Sequence, residues 1–533
     1  MQMKNNENGK VTSGTNISYW TGSMPGPISF SKLEENLSAE VVIAGGGITG
    51  VSVAYGLCLL NKKVVLVEDG FIGSGETGRT TAHIVSALDD RYYMLEKLFG
   101  EDNTKLIAEG YTAAIKFIED TIAREKIECD FKRVPGYLFL HPSDEKESLD
   151  REFNASLRAG IEVKKITGIP GMKAVNEPCL LFPQQAKFHP LKYLQGMCDA
   201  IIAKGGRIYT ETHAREIDET GIVTDEGFKI AAEHIVIATN TPVNNKYVIH
   251  LKQFPYRSYV IGARVKKNSI PDALWWDTGD FMINKEIPPY HYIRLQPLNE
   301  MYDLLICGGE DHSTGLAKVD FIPEENRYGL LGDWARTRFP IEDVIYHWSG
   351  QIMYPMDSLG YIGRNPMDKK NIYIVTGDSG NGITHGTIAG MLIPDLVTGK
   401  ENNLEKIYDP SRFKLFKAGK VFFREFVGGF MAYLKNTPGH PEEVKISDIH
   451  KGEGKIIELA GEKYGAYCDM NNELHLVSAE CTHLKCIVNW NNDEKSWDCP
   501  CHGSRFTYEG KVLNGPANEP LSYHKEKSTA FSY

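Results

Sequence analysis

The chain is 533 residues long, 42% hydrophobic and carries a formal net charge of −11, enough for roughly two to four domains with large cores and too acidic to favour a nucleic-acid partner. No run approaches the roughly eighteen uninterrupted apolar residues of a membrane span, and the N-terminal MQMKNNENGKVTSG has no signal-peptide core. Of ten cysteines, Cys58, Cys129, Cys179, Cys198 and Cys307 are scattered and read as reduced core thiols, so a soluble cytoplasmic protein is expected.

Val41 to Ala44 form a short apolar run that reads as a buried parallel strand. It feeds Gly45, Gly47 and Gly50, a G-x-G-x-x-G turn opening a helix through Leu60. Glycines there let backbone N–H groups approach a pyrophosphate at the helix N-terminus, where the macrodipole favours negative charge. A second strand, Lys63 to Val67, ends at Glu68, an acidic residue placed to bind ribose hydroxyls. A glycine-rich turn without a ligand is the alternative; glycines, strands and acid in register favour a dinucleotide, and the turn alone does not say which.

Downstream come GSGETGRTTAH (Gly73 to His83), HPLKYLQGM (His189 to Met197), GGRIYTET (Gly205 to Thr212), HIVIATN (His234 to Asn240) and HWSGQIMYPMDSLGYIG (His347 to Gly363). Strand Ile372 to Thr376 then runs into Gly377 and DSGNGITHGTIAG, a second glycine-rich strand-to-helix turn. Alternating strands and helices over residues 40–90, 190–240 and 350–400 predict a doubly wound α/β domain built from discontinuous segments. The intervening 91–185 and 245–350, with runs such as YRSYVIGARV, predict an α+β substrate domain with an antiparallel sheet. Tyr256, Arg257, Tyr259, Tyr292, Arg294, Glu310, Asp311, His312 and His347 are polar groups in apolar strand-like text, where a polar side chain needs a reason to be. Most are read as ordinary hydrogen-bonded strand residues, and Tyr259, Arg294, His312 and His347 are the substrate-side candidates.

After Lys400 the pattern changes. Residues 401–441 read as a helical connector and linker: Phe413, Phe416, Phe423, Phe426, Phe430 and Tyr433 recur at helical spacing, a stripe expected to pack on the preceding domain rather than lie on a membrane, and Thr437 to Pro441 break it. Short alternating strands IIELA, YGAYC and ELHLVS open a small all-β domain over 442–533. There Cys481 and His483 are followed by Cys499 and His502, the spacing that wraps a Rieske-type [2Fe-2S] cluster, two thiolates on one iron and two imidazoles on the other. Zinc is the alternative for such a ligand set. Against it, each Cys is followed at short range by its own His, whereas a finger groups its histidines at a helix end.

CTHLKC and CPCHGSRF resemble the Rieske family almost letter for letter. The extra Cys486 and Cys501 resemble the disulfide that ties the cluster loops together in the Rieske proteins of respiratory and photosynthetic complexes. High-potential members are similar at Ser504 but carry tyrosine where this chain has Phe506. Residues 18–400 resemble the D-amino-acid oxidase and glycine oxidase superfamily, in which the second glycine-rich turn covers the flavin ring. That resemblance implies FAD, held by Gly45, Gly47, Ile48, Thr49, Gly50, Glu68, Asp69, Thr77, Arg79, Thr80, Thr81, Ala82, His83, Ala214, Ala238, Thr239, Gly363, Gly380, Gly382, Ile383 and Thr384. Two departures matter: Thr384 stands where the sarcosine-oxidase branch carries a lysine, and Ile352 where that branch's flavin-linking cysteine falls. His83 falls where dimethylglycine-dehydrogenase-like relatives bond a histidine to the flavin, and a noncovalent neighbour is expected here.

Together the two resemblances imply a bacterial FAD-plus-Rieske oxidoreductase. FAD would take a hydride from an amine, amino acid or hydroxy compound, and the cluster would relay single electrons to or from an external carrier such as a ferredoxin or quinone. The direction of flow stays open. The rival reading is a non-enzymatic electron-transfer or redox-sensing protein; a Rieske oxygenase would need a mononuclear iron on two His and a carboxylate, for which the flavin-like domain leaves no place.

Overall fold

The structure, a computed structural model, describes residues 16–173, 176–244, 247–285, 287–316, 327–413 and 446–524. Strand Leu37–Ala44 buries its last four residues and pairs in parallel with Val64–Val67 on one side and Lys229–Ile237 on the other. Arg207–Tyr209 and Ile372–Thr376 extend the sheet in parallel, and Tyr361–Arg364 closes one edge antiparallel. Val41 and Ile43 pack into one core and Val42 and Ala44 into another; burial on both faces is why this strand is continuously apolar rather than alternating.

Helix Ile48–Leu59 leaves the first strand and crosses helix Gly382–Thr398, which leaves Ile372–Thr376. At the crossing the backbones nearly touch: a Cβ on Gly56 would sit 2.3 Å from the Gly390 carbonyl oxygen. This contact holds the two glycine-rich turns at the heads of the helices around one cavity.

The second sheet runs, in spatial order, Val344–Pro355, Gln253–Lys266, Tyr302–Ser313, Tyr292–Pro297, Leu274–Asp277, Lys132–Phe139, Pro178–Lys187 and His83–Ile84, with Lys164–Thr167 on the side of Pro178–Lys187. It is antiparallel except where Leu274–Asp277 meets Lys132–Phe139. Helix Arg327–Arg338 covers one face through Leu331 and Ala335, packed with Tyr259, Ile261 and Phe339; the other face looks toward the cavity. The chain is thus a doubly wound α/β domain with an α+β domain, followed by a small all-β domain. The last contains a three-stranded sheet, Gly454–Leu459, Glu462–Cys468 and Leu474–Ser478, and a four-stranded one, Asn489–Asn491, Ser496–Asp498, Arg505–Thr507 and Val512–Asn514. The helical stripe and linker expected within 401–441 lie, from residue 414 onward, outside the described residues. Among the described residues no helix is long and apolar enough to cross a membrane.

The all-β domain docks on the rest of the chain through buried polar contacts. Glu494, fully buried, accepts from the Tyr328 hydroxyl at 2.8 Å and the Asn16 amide at 3.2 Å, with Arg79 at 3.5 Å, Arg257 at 3.8 Å and its own domain's Arg505 at 4.0 Å. Burial would raise this carboxyl, but the three guanidinium groups hold it down to about 2. Asn514 donates to Glu76 at 2.8 Å, and Gln351 donates to the Gly503 carbonyl at 3.1 Å.

Candidate active site

The first glycine turn is shaped by close approach. Gly45 has φ +109°, and a Cβ there would lie 2.4 Å from the Ala238 carbonyl oxygen. Gly47 caps the helix with no side chain of its own; the Thr77 hydroxyl accepts from Ile48 N at 2.9 Å. Gly50 has a packing role, since its Cβ would fall 1.9 Å from the Gly45 oxygen. At the end of the second strand the Glu68 carboxylate accepts from Gly46 N at 2.6 Å and Gly70 N at 2.9 Å, which ties the two strand ends together.

Between the turns lies a cavity of about 300 Å³. Its walls include Gly45, Gly47, Ile48, Thr49, Glu68, Asp69, Thr77, Arg79, Thr80, Thr81, His83, Ala214, Ala238, Thr239, Gly380, Gly382 and Ile383 of the residues expected to hold a dinucleotide; Gly50, Ala82, Gly363 and Thr384 are not among the lining. The all-β domain supplies part of the wall through Val512, Leu513, Asn514 and Gly515. His83 uses both ring nitrogens, Nδ1 with the Thr81 hydroxyl at 3.0 Å and Nε2 toward the Ile293 carbonyl at 3.2 Å. The carbonyl requires the proton on Nε2, and burial holds the ring's pKa down to about 3, so it is neutral with Nδ1 bare.

In the all-β domain the disulfide Cys486–Cys501 joins the two motif loops, and the Cys499 sulfur lies within 4.8 Å of both its sulfurs. Cys481 and Cys499 are buried and within hydrogen-bonding reach of each other; that contact, with a further hydrogen bond to Ser504, brings Cys481 down to about 7. The His483 and His502 rings stand 5.1 Å apart, and burial keeps both neutral, near 4. His502 Nδ1 is buried and without a hydrogen-bond partner among the described residues. Two thiols, two neutral imidazoles and an open ring nitrogen fit a [2Fe-2S] cluster of the two-Cys, two-His kind. Both rings also face the first domain: His250 lies edge-on to His483 at 5.2 Å and to His502 at 6.0 Å.

Residues 40–396 match the FAD dependent oxidoreductase family, and residues 441–525 match the Rieske [2Fe-2S] domain. The chain belongs to the FAD dependent oxidoreductase family. It is an enzyme of that family with a C-terminal Rieske domain. A Rieske 2Fe-2S iron-sulfur protein of Bacillus subtilis (strain 168), YhfW, is 32% identical over 94% of this chain and 96% of its own length. Gamma-glutamylputrescine oxidoreductase of Escherichia coli (strain K12) is 26% identical over 78% of this chain and 96% of its own. Among solved structures, glycine oxidase from Geobacillus kaustophilus shares the fold with a TM-score of 0.57 at 19% identity, covering 71% of this chain and all of that one. FAD fits the site: the glycine turn at the helix N-terminus, Glu68 at the end of the second strand and the second turn at Gly380 and Gly382 frame one cavity, and a Cβ on Gly380 would crowd its lining at Asp89 and Tyr290.

The substrate-side candidates of this FAD dependent oxidoreductase lie apart from the cavity lining. Along strand Gln253–Lys266, Ser258 and Val260 face the cavity, so Tyr259 faces helix Arg327–Arg338. There its hydroxyl meets His312 Nε2 at 3.1 Å, while Nδ1 of that ring donates to the Ser313 carbonyl. Arg294 is fully buried and donates to the carbonyls of Thr81, Ala82 and Phe188 and to the Gln296 amide oxygen, bracing the segment that carries Thr81. His347 is exposed, its ring against Tyr328. The cavity is instead lined by Tyr292, singled out in the sequence, by Ser258, Trp276 and Tyr290, which no local pattern marks, and by Asp89. A pair of acids closing the apolar run HIVSAL was the one available sign of Asp89.

Proposed function

We propose that this protein oxidises an amine, amino acid or hydroxy compound at FAD and passes the electrons one at a time through the Rieske cluster to, or from, an external carrier such as a ferredoxin or quinone, in the cytoplasm. The observation that carries the reading is the docked Rieske domain: its strand Val512–Asn514 and Gly515 wall part of the cavity, and its candidate ligands His483 and His502 rest on His250. FAD when bound supplies a hydride acceptor, and a Rieske cluster supplies a one-electron relay. The chain's own residues prepare the reaction in other ways. The glycine turn and helix Ile48–Leu59 receive the pyrophosphate, and Thr77, Thr81 and His83 line the wall with their hydrogen bonds already satisfied inside the protein. Trp276, Tyr290 and Tyr292 add aromatic surface to the lining.

The test is an anaerobic panel of amines, N-methyl amino acids and hydroxy acids. A true substrate bleaches the flavin and then the cluster, the second step at a rate independent of protein concentration, because both cofactors share one chain. His502→Ala should lose the cluster's visible absorbance and keep flavin bleaching. A flavin that reduces while an intact cluster of higher potential stays oxidised would refute the relay.

A further inference from the structure

The cavity of this oxidoreductase is poor in free positive charge. Its lining includes the carboxyl groups of Glu68, Asp69, Glu76, Asp89 and Asp378, and among the described residues the only lysine or arginine there is Arg79, which donates to the Asn16 carbonyl and lies against Glu494. The other arginines near the substrate wall are engaged behind it. Arg294 donates to carbonyl oxygens, and Arg91 donates to the carbonyls of Leu88 and Asp277. A substrate carboxylate brought against this wall would lose its hydration with no free cation among the described residues to receive it, which is costly for a buried charge.

The same wall suits the opposite charge. Asp89 adjoins the second glycine turn: a Cβ on Gly380 would come 2.7 Å from Asp89 Oδ2 and 3.2 Å from the Tyr290 hydroxyl. Beside them the rings of Tyr290 and Tyr292 lie 5.3 Å apart, and Trp276 completes an aromatic lining. Aromatic faces around a carboxylate attract an ammonium group through the ring quadrupole as well as the formal charge. Asn381, in the turn itself, also lines the cavity, and its Oδ1 is buried without a hydrogen-bond partner among the described residues. Burial lifts the Asp89 carboxyl to about 6, against a hydrogen bond from Tyr290 and the charge of Arg91.

We infer that the substrate is an amine bound as its cation, lacking a carboxylate next to the reacting carbon, with Asp89 as the anchoring carboxylate and Trp276, Tyr290 and Tyr292 as its cage. This rests on reading the cavity as the flavin and substrate site. The test uses oxidised holoenzyme and three probes of equal length, butylamine, butyrate and 1-butanol, read by perturbation of the flavin absorbance and by the shift in unfolding midpoint. Butylamine should bind at least about tenfold more tightly than butyrate or 1-butanol. Asp89→Asn should abolish that preference with flavin content unchanged. Butyrate binding as well as butylamine overturns the assignment, and so does a preference that survives in Asp89→Asn. Should that variant fail to fold, the wild-type ranking alone decides. Flavin bleaching separates the two readings: bleaching by amino or hydroxy acids and not by amines overturns the amine assignment and leaves the oxidoreductase reading standing. A retained amine preference with no bleaching by any donor upholds the amine site and defeats the oxidation.

Discussion

Ser504 sits where a single hydroxyl sets a redox property. Fully buried, it accepts from Ala517 N at 3.0 Å and is hydrogen-bonded to Cys481, one of the two thiols placed to hold iron. A hydrogen bond to sulfur favours the reduced, more negative cluster, so Ser504→Ala should lower the reduction potential. A differential of about 1.4 kcal/mol, ordinary for a hydrogen bond to a charged group, corresponds to about 59 mV for one electron. Phe506→Tyr should shift the potential upward, and a redox titration followed by the cluster's spectrum reads both; two unmoved potentials would sink the hydrogen-bond account. At this scale Cys481, His483, Cys499 and His502 could be singled out from the sequence because they come from two short loops whose spacing the covalent chain itself dictates. Arg294 was not. Its charge in an apolar strand invited a substrate role, but only the neighbouring carbonyls of Thr81, Ala82 and Phe188, far away in sequence, explain why it is buried.

At the scale of elements, the period of a strand decides which side chains meet the chemistry. Ser258 and Tyr259 are adjacent in sequence and on opposite faces of one sheet, one toward the cavity and one under helix Arg327–Arg338. Because both faces are buried, hydrophobic alternation could not tell them apart. The loop between Asn489–Asn491 and Ser496–Asp498 carries the other consequence of element placement, Glu494, which the docked domain inserts among Arg79, Arg257 and Arg505. Glu494→Gln leaves that buried positive cluster short of its counter-charge, and removing one partner of such a pair costs about 3–5 kcal/mol. The wild-type carboxyl is held down to about 2 against about 4.3 in the unfolded chain, so its stabilisation is complete above about pH 4.3 and disappears as pH falls through 2. Denaturant unfolding of both proteins should therefore show a gap that is widest above pH 5 and closes on acidification; a gap that does not vary with pH would mean the charge of Glu494 is not what matters.

For the whole molecule the decisive feature is where the Rieske domain faces. His250 stands between the cluster histidines and a hydrogen-bonded run into the cavity wall: its Nδ1 lies 3.3 Å from the Thr241 hydroxyl, Gln253 donates to that hydroxyl at 3.2 Å, and Thr376 donates to Gln253 Oε1 at 3.0 Å. Thr241 and Thr376 both line the cavity. Replacing His250 by alanine opens a gap in this contact. Photoreduction of the flavin in His250→Ala should then be followed by cluster reduction several-fold slower than in wild type, with flavin reduction and the cluster's spectrum unchanged; equal rates would show that electrons take another route. The two modules, their order, the glycine turns and the paired Cys–His loops were legible in the sequence, because each is a local pattern of residues a few positions apart. Folding was needed to show that Tyr259, Arg294, His312 and His347 lie apart from the cavity lining, that Asp89, Trp276, Tyr290 and Tyr292 are part of it, and that His483 and His502 rest on His250. Those placements come from strand register, helix crossing and domain docking between segments distant in the chain, where burial on both faces leaves no periodic trace for a reader of the sequence to follow.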